Sequence, residues 1–192
     1  GRMGTSLSRQ RSRAVLEPGV QTRAAVRTAA PSLAQLHVDT WRAAYRGLVP
    51  DELLNNMSVA ARERRWTAIL AEGGTAWVAQ AATAIIGFAA YGRSRDADAA
   101  PFVGEVIALY VHPDAWGSGV GRSLNDAALS SLAADGCREA TLWVLRDNSR
   151  ARRFYERQGW LTDGAEQTDD REGVRLVEVR YRVKLSPHGA KP

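Results

Sequence analysis

Between Glu105 and Leu124 the chain reads EVIALYVHPDAWGSGVGRSL: a strand-like apolar run, glycines at 117, 119 and 121, then residues of helical period. Few folds use such a junction. Glycine adopts left-handed backbone conformations without a Cβ penalty and lets a ligand approach the main chain closely. The helix that follows presents unpaired N–H groups and the positive end of its dipole, which together suit a phosphate. Two familiar phosphate loops do not fit the spacing. The pattern G-x-x-x-x-G-K-[ST] needs a Lys where Arg122 follows Gly121, and its first Gly falls on Trp116. The dinucleotide pattern G-x-G-x-x-G accepts Gly117 and Gly119 but meets Arg122 at its third Gly.

The flanking periodicities place this junction in a fold. Leu33, Leu36, Val38, Trp41, Ala44 and Tyr45 recur at helical spacing after Pro31-Ser32, and a second helical region spans about 50–70 with a break expected near Asn55-Asn56. Trp41, Tyr45 and Trp66 read as core, with the wall of a substrate site as the alternative. The period then drops to two in TAWVAQ, AIIGFAAYGR and FVGEVIALYV, an expected antiparallel meander that itself argues against a parallel dinucleotide-binding sheet. A helix follows the glycines to Gly136, then the apolar strand ATLWVL, a short helix capped at Asn148-Ser149, and strands around 160–162 and 174–184. A first strand is expected in VQTRAAVRT. The order is strand, two helices, three strands, helix, strand, helix, two strands. It fits an α/β (α+β) domain of three layers, with one mixed, mostly antiparallel sheet of about seven strands and helices on both faces.

Composition sets the remaining bounds. At 192 residues the chain suits one domain, expected over 19–185, with a basic N-terminal arm at 1–18 and a tail at 186–192. Arg2, Arg9, Arg11 and Arg13 against Glu17 alone place most of the net charge of +5 in that arm, so nucleic-acid binding is not expected of the domain. No apolar run reaches the roughly 18 residues of a membrane span, and the Arg-bearing N-terminus lacks a secretory apolar region. The single Cys137 has no disulfide partner and no His cluster at metal-ligand spacing, so no metal is expected. These features together suggest a cytoplasmic location.

Two stretches carry a family resemblance. Val111-x-Pro113 followed by Trp116-x-x-Gly119-x-Gly121 resembles the pyrophosphate loop of the GNAT superfamily of acetyl-CoA-dependent N-acetyltransferases. Downstream, Leu142-Trp143-Val144, Asn148, Ala151 and Phe154-Tyr155 through Gly159-Trp160 resemble its second signature, and WRAAYRGLVPDELL from Trp41 is similar to the first helix and turn of some bacterial members. The likeness covers about 20–184, and Trp116 stands where the family usually has Gln or Arg.

The resemblance implies acetyl-CoA as cosubstrate and a splay between strands 4 and 5. It implies that the backbone of Leu109, Tyr110 and Val111 pairs with pantetheine, and that Gly117, Ser118, Gly119, Val120, Gly121 and Arg122 hold the pyrophosphate. Asn148 would touch pantetheine or help hold the splay open, or serve only as a helix cap, and Arg122 would offer charge to a phosphate or lie on the helix surface. Tyr155 matches a tyrosine near the coenzyme sulfur, where a phenol could donate a proton, or it packs beside Phe154. Glu105 matches a catalytic glutamate; it is either the base that deprotonates the acceptor ammonium or a solvated or ion-paired strand residue. His112 could be a base but reads as a surface residue. The implied reaction is acetyl transfer to a primary amine of a small molecule, peptide or protein, with a silent acyl-CoA-binding module as the alternative and a homodimer as an expectation from fold analogy alone.

Overall fold

The computed structural model describes residues 19–171 and 173–186. The arm at 1–18 and the last six residues of the expected tail lie outside them. Seven strands form one sheet in the order β1-β2-β3-β4-β5-β7-β6: β1 (Val20–Ala24), β2 (Thr75–Ala81), β3 (Ala84–Arg93), β4 (Val103–Val111), β5 (Glu139–Leu145), β6 (Leu161–Arg171) and β7 (Val174–Lys184). All neighbours run antiparallel except β4 and β5. Helices α1 (Ala30–Ala44), α2 (Asp51–Asn55) and α3 (Val59–Ala71) precede the meander, α4 (Val120–Ala134) follows the glycine loop, and α5 (Ser149–Arg157) follows β5.

The break expected near Asn55-Asn56 separates α2 from α3, whose N-terminus is capped by Ser58 accepting from the Ala61 N–H at 3.1 Å. Two strand expectations need correction. The first strand ends at Ala24, because a 3-10 turn over Arg27–Ala29 leads directly into α1. The sixth extends to Arg171 instead of stopping near 162; it is an edge strand whose polar residues are mostly exposed, so its pairing with β7 leaves no apolar alternation to read.

Two apolar layers cover opposite faces of the sheet. Leu33, Leu36 and Trp66 from α1 and α3 meet Val78 and Phe88 on one face. On the other, Leu124, Ala128 and Leu132 of α4 and Tyr155 of α5 pack with Val106, Leu142, Val144 and Tyr181. A polar pair is built into this second layer, where the Trp160 indole donates to Asn125 Oδ1 at 3.1 Å, so neither group is stranded on burial. Cys137 is buried there as well, and burial pushes its thiol up from the ordinary value.

Between β4 and β5 the sheet opens. They pair only at Val103–Glu139, Gly104–Ala140 and Glu105–Thr141, after which β4 continues beside β3 and β5 beside β7. The cause is visible in the register of β3 and β4, which moves from Ala90–Ala108 to Tyr91–Val106 and leaves Ile107 as an extra residue in β4. An extra residue bends its strand. This bulge falls just past the last pair with β5, so the bend carries Ile107 to Val111 away from their parallel neighbour.

Candidate active site

The splay opens into a cavity of about 460 Å³, bounded by β4, β5, the glycine loop, α1 and α5. Leu109, Tyr110 and Val111 line it, as do Gly117, Gly119, Gly121, Arg122, Asn148 and Tyr155. The structure therefore brings most of the residues singled out in the sequence to one place. Ser118 and Val120 sit between the lining glycines; the Ser118 hydroxyl donates to the Ala115 carbonyl at 2.6 Å, and Val120 points into the core.

The loop is shaped by its glycines at two points. Gly119 is the N-cap of α4 with φ of +88° and offers no side chain to the helix donors, so the first N–H groups of α4 are left to a ligand. At Gly121 a Cβ would lie 3.3 Å from the Phe154 ring, tighter than ordinary contact, so glycine here lets α4 and α5 close on the same cavity.

Trp116 fills its unusual position by donating its indole N–H to the Val111 carbonyl at 2.7 Å. Its ring lies 3.4 Å beneath the Arg150 guanidinium, a cation–π contact that the sequence did not suggest. Arg150 also lines the cavity, and burial lowers its pKa from the usual arginine value. With Arg122 and Arg157 it gives the lining three cations, and no Asp or Glu stands among the described lining residues.

Asn148 caps α5, its Oδ1 accepting from the Ala151 N–H at 3.1 Å while the residue lines the cavity. Tyr155 is buried between Phe154 and Trp160. Burial and the neighbouring Tyr110 raise the phenol above its ordinary pKa against the opposing pull of Arg150, so it stays protonated at neutral pH. His112 is spent as the cap of the 3-10 turn at Pro113–Ala115, its Nδ1 accepting from the Asp114 N–H at 3.2 Å.

Glu105 is placed differently from the other candidates. It is 1% exposed and does not line the cavity. Its Oε2 accepts from the Arg95 backbone N–H at 3.0 Å and from Arg95 Nε at 3.1 Å, while Oε1 accepts from Arg95 Nη2 at 2.7 Å. Glu105 is thus ion-paired with Arg95 in this structure. The tie joins the β3–β4 connection to the last β4 residue still paired with β5. Glu105→Gln should therefore lower stability by about 1–2 kcal/mol, a Tm shift of a few degrees, because Arg95 can partly rehydrate. Any loss in kcat should be similar from pH 6.5 to 9.5; a defect that heals as pH rises would restore the base role.

Trp41 and Tyr45, expected in the core, are buried and also form the cavity wall with Thr40. Trp66 stays in the core against Phe88. Trp143 completes the wall from β5, its indole donating to Asp96 at 2.8 Å.

The sequence and fold match known proteins. The sequence model of the Acetyltransferase (GNAT) family matches residues 31–160. An uncharacterised N-acetyltransferase of Bacillus subtilis is 30% identical over 149 residues, which is 77% of this chain and 83% of that protein. A GCN5-related N-acetyltransferase structure from Rhodopseudomonas palustris superposes with a TM-score of 0.72 at 23% identity, covering 89% of this chain and 98% of that one. The paiA N-acetyltransferase of Thermoplasma acidophilum, solved with coenzyme A, gives 0.62 at 18% identity over 86% and 98%. The chain belongs to the GNAT acetyltransferase family and is an acyl-CoA N-acyltransferase. Among the described residues no helix is long and apolar enough to cross a membrane.

Proposed function

We propose that the protein transfers the acetyl group of acetyl-CoA to an amine by direct attack, in the cavity between β4 and β5. One observation carries this reading: the three-pair ladder opens onto a space that joins the uncapped start of α4 to the Tyr155 phenol. Past Glu105, β4 has no parallel partner, so its edge at Leu109 and Tyr110 is open to the amides of pantetheine, while the Val111 carbonyl is taken by the Trp116 indole. The amides from Gly117 to Arg122 receive the pyrophosphate, and Asn148 holds the start of α5 at the cavity edge. The thioester supplies the electrophilic carbonyl, and its thiolate leaves as the new amide forms. Tyr155 donates its phenolic hydrogen to the departing sulfur, and the proton that the attacking nitrogen sheds as the amide forms restores the phenol. Glu105 acts at a distance by keeping the splay in register.

Arg150 and Trp116 take over the polar role that the loop otherwise lacks. Trp116 is fixed by its own hydrogen bond and serves as a shelf for a guanidinium that has no carboxylate in ion-pair range among the described residues. Arg150→Met should weaken coenzyme A binding about tenfold, the worth of one charge-assisted hydrogen bond. Calorimetry with coenzyme A and with 3′-dephospho-coenzyme A identifies the phosphate: an equal loss for both places Arg150 on the pyrophosphate. Binding unchanged by Arg150→Met would remove it from the cosubstrate site.

The reading as a whole is tested by thermal melting with acetyl-CoA, NADH and ATP, followed by thiol release with a panel of amines. Acetyl-CoA should raise Tm well beyond the other two, and at least one amine should release thiol. Equal stabilisation by all three ligands would overturn it.

A further inference from the structure

Where the backbone ladder between β4 and β5 stops, side chains take over. The connection from β3 to β4 is tied to β4, β5 and β7 in turn. Arg95 is held by Glu105 of β4, the last residue there that pairs with β5. Asp96 Oδ1 accepts from the Trp143 indole of β5 at 2.8 Å, and its Oδ2 accepts from Arg180 Nη1 of β7 at 3.0 Å. Asp98 closes the strap, accepting from Arg180 Nη1 at 2.8 Å and from Nη2 at 3.1 Å, while Arg180 Nε donates to Asp163 of β6 at 2.8 Å. The Arg180 side chain is only 10% exposed, so these charge-assisted bonds are sheltered from water and salt.

Trp143 is the residue on which this strap acts. It lies just past the last parallel pair, Glu105–Thr141, and it lines the cavity, whereas Asp96 and Arg180 do not. Trp143 and Arg180 are cross-strand partners, with the guanidinium 5.5 Å from the ring centroid. The Asp96 bond fixes the direction of the N–H edge and the cation covers a ring face, so the side-chain torsions are determined from outside the cavity.

Alternation along β5 places the ring. Leu142 and Val144 pack with Tyr155 and α4 on one face of the sheet, and Leu145 packs with Trp41 and Tyr45 on the other. Trp143, two residues before Leu145, shares the face of α1 and α2. The uncapped start of α4, which receives the diphosphate, and the Tyr155 ring belong to the opposite face. The cosubstrate therefore enters from one side of the splay, and Trp143 bounds the cavity on the other.

We propose that Trp143 is a specificity-determining wall of the acceptor site and that Asp96, latched by Arg180, is the residue that positions it. This rests on the transferase reading given above. The ring limits how an amine lies against the thioester, and the β3–β4 connection sets the ring without touching the substrate.

The test measures thiol release with propylamine, phenethylamine, leucinamide and spermidine, with acetyl-CoA affinity by calorimetry and Tm for every variant. Asp96→Ala removes the acceptor of the indole N–H; KM for the best amine should rise about five- to tenfold, the worth of one aromatic contact, with kcat and acetyl-CoA affinity changed by about twofold or less. Asp96→Asn keeps an oxygen for the indole and weakens only the ion pair, so Tm should fall while KM stays within about twofold of wild type. Asp98→Ala loosens Arg180 without touching Trp143: Tm should fall and KM should not move. Trp143→Phe keeps a ring, loses the bond to Asp96 and should raise KM by itself; in that background Asp96→Ala should add nothing further. The proposal is overturned if Asp96→Asn or Asp98→Ala raises KM as much as Asp96→Ala does, which would reduce the strap to stability alone. It is overturned equally if Trp143→Phe or Asp96→Ala leaves KM unchanged, or if acetyl-CoA affinity falls in step with KM, which would place Trp143 on the cosubstrate. Acetyl-CoA binding by the wild type without thiol release from any amine would overturn the transferase reading and this inference with it.

Discussion

Gly119→Glu should weaken acetyl-CoA binding by at least a hundredfold while the domain remains folded. At position 119 the backbone has φ of +88° and forms the N-cap of α4, and the helix start has no side-chain cap. A glutamate there acts in two ways. Its carboxylate can reach the free N–H groups of the first turn, as an acidic group near a helix N-terminus does, and so occupy the donors meant for the pyrophosphate. Whatever donors it leaves open, it also sets a negative charge beside an incoming diphosphate. Holding an L residue at this φ costs about 1–2 kcal/mol, or a few degrees of Tm for a chain of this size, so the fold survives. Gly119→Ala separates the two effects, because it carries the strain without the charge and should retain most of the binding. Calorimetry with acetyl-CoA, beside the melting curve of the free protein, reads both. Affinity of Gly119→Glu within tenfold of wild type would show that the phosphates do not sit at this helix start.

The same residues show why the cosubstrate side was legible in the sequence and the acceptor side was not. Gly119 and Gly121 are required by local geometry, a left-handed cap in one case and the 3.3 Å approach to Phe154 in the other, and a local requirement leaves a residue type at a fixed spacing. Asn148 likewise caps the helix it begins. Contacts made across the fold leave no such trace. Arg150 reaches Trp116 from another element, and neither residue predicts the other. The partner of Glu105 comes from the loop after β3, so the sequence could not separate a free base from an ion-paired carboxylate. Trp41 and Tyr45 obey the helical period of α1 whether they face core or cavity, and here they face both. For β6 the fault lies in the signal itself: a solvated edge strand held by backbone bonds to β7 has no apolar face to alternate.

Tyr155→Phe is expected to lower kcat about a hundredfold and to change the KM for acetyl-CoA little. The ring is held by Phe154, Trp160 and Tyr181, and phenylalanine keeps that packing, so removal of the hydroxyl isolates the chemistry from the scaffold. Burial keeps the phenol protonated well above neutral pH, which makes it a standing hydrogen-bond donor rather than a group that alternates between states across the assay range. Negative charge grows on sulfur only as the C–S bond breaks, so a donor placed there stabilises the transition state more than the bound thioester, and its loss falls on kcat. A positioned proton donor typically contributes 10²–10⁴-fold, and the lower end applies because a thiolate leaves more readily than an alkoxide. The deficit should hold from pH 6.5 to 9.5, since neither the phenol in the wild type nor the ring in the variant titrates in that range. Single-turnover measurement is the proper readout, because slow product release would hide the effect. A variant with unchanged single-turnover rate would confine Tyr155 to packing and leave the departing thiolate to be protonated by solvent.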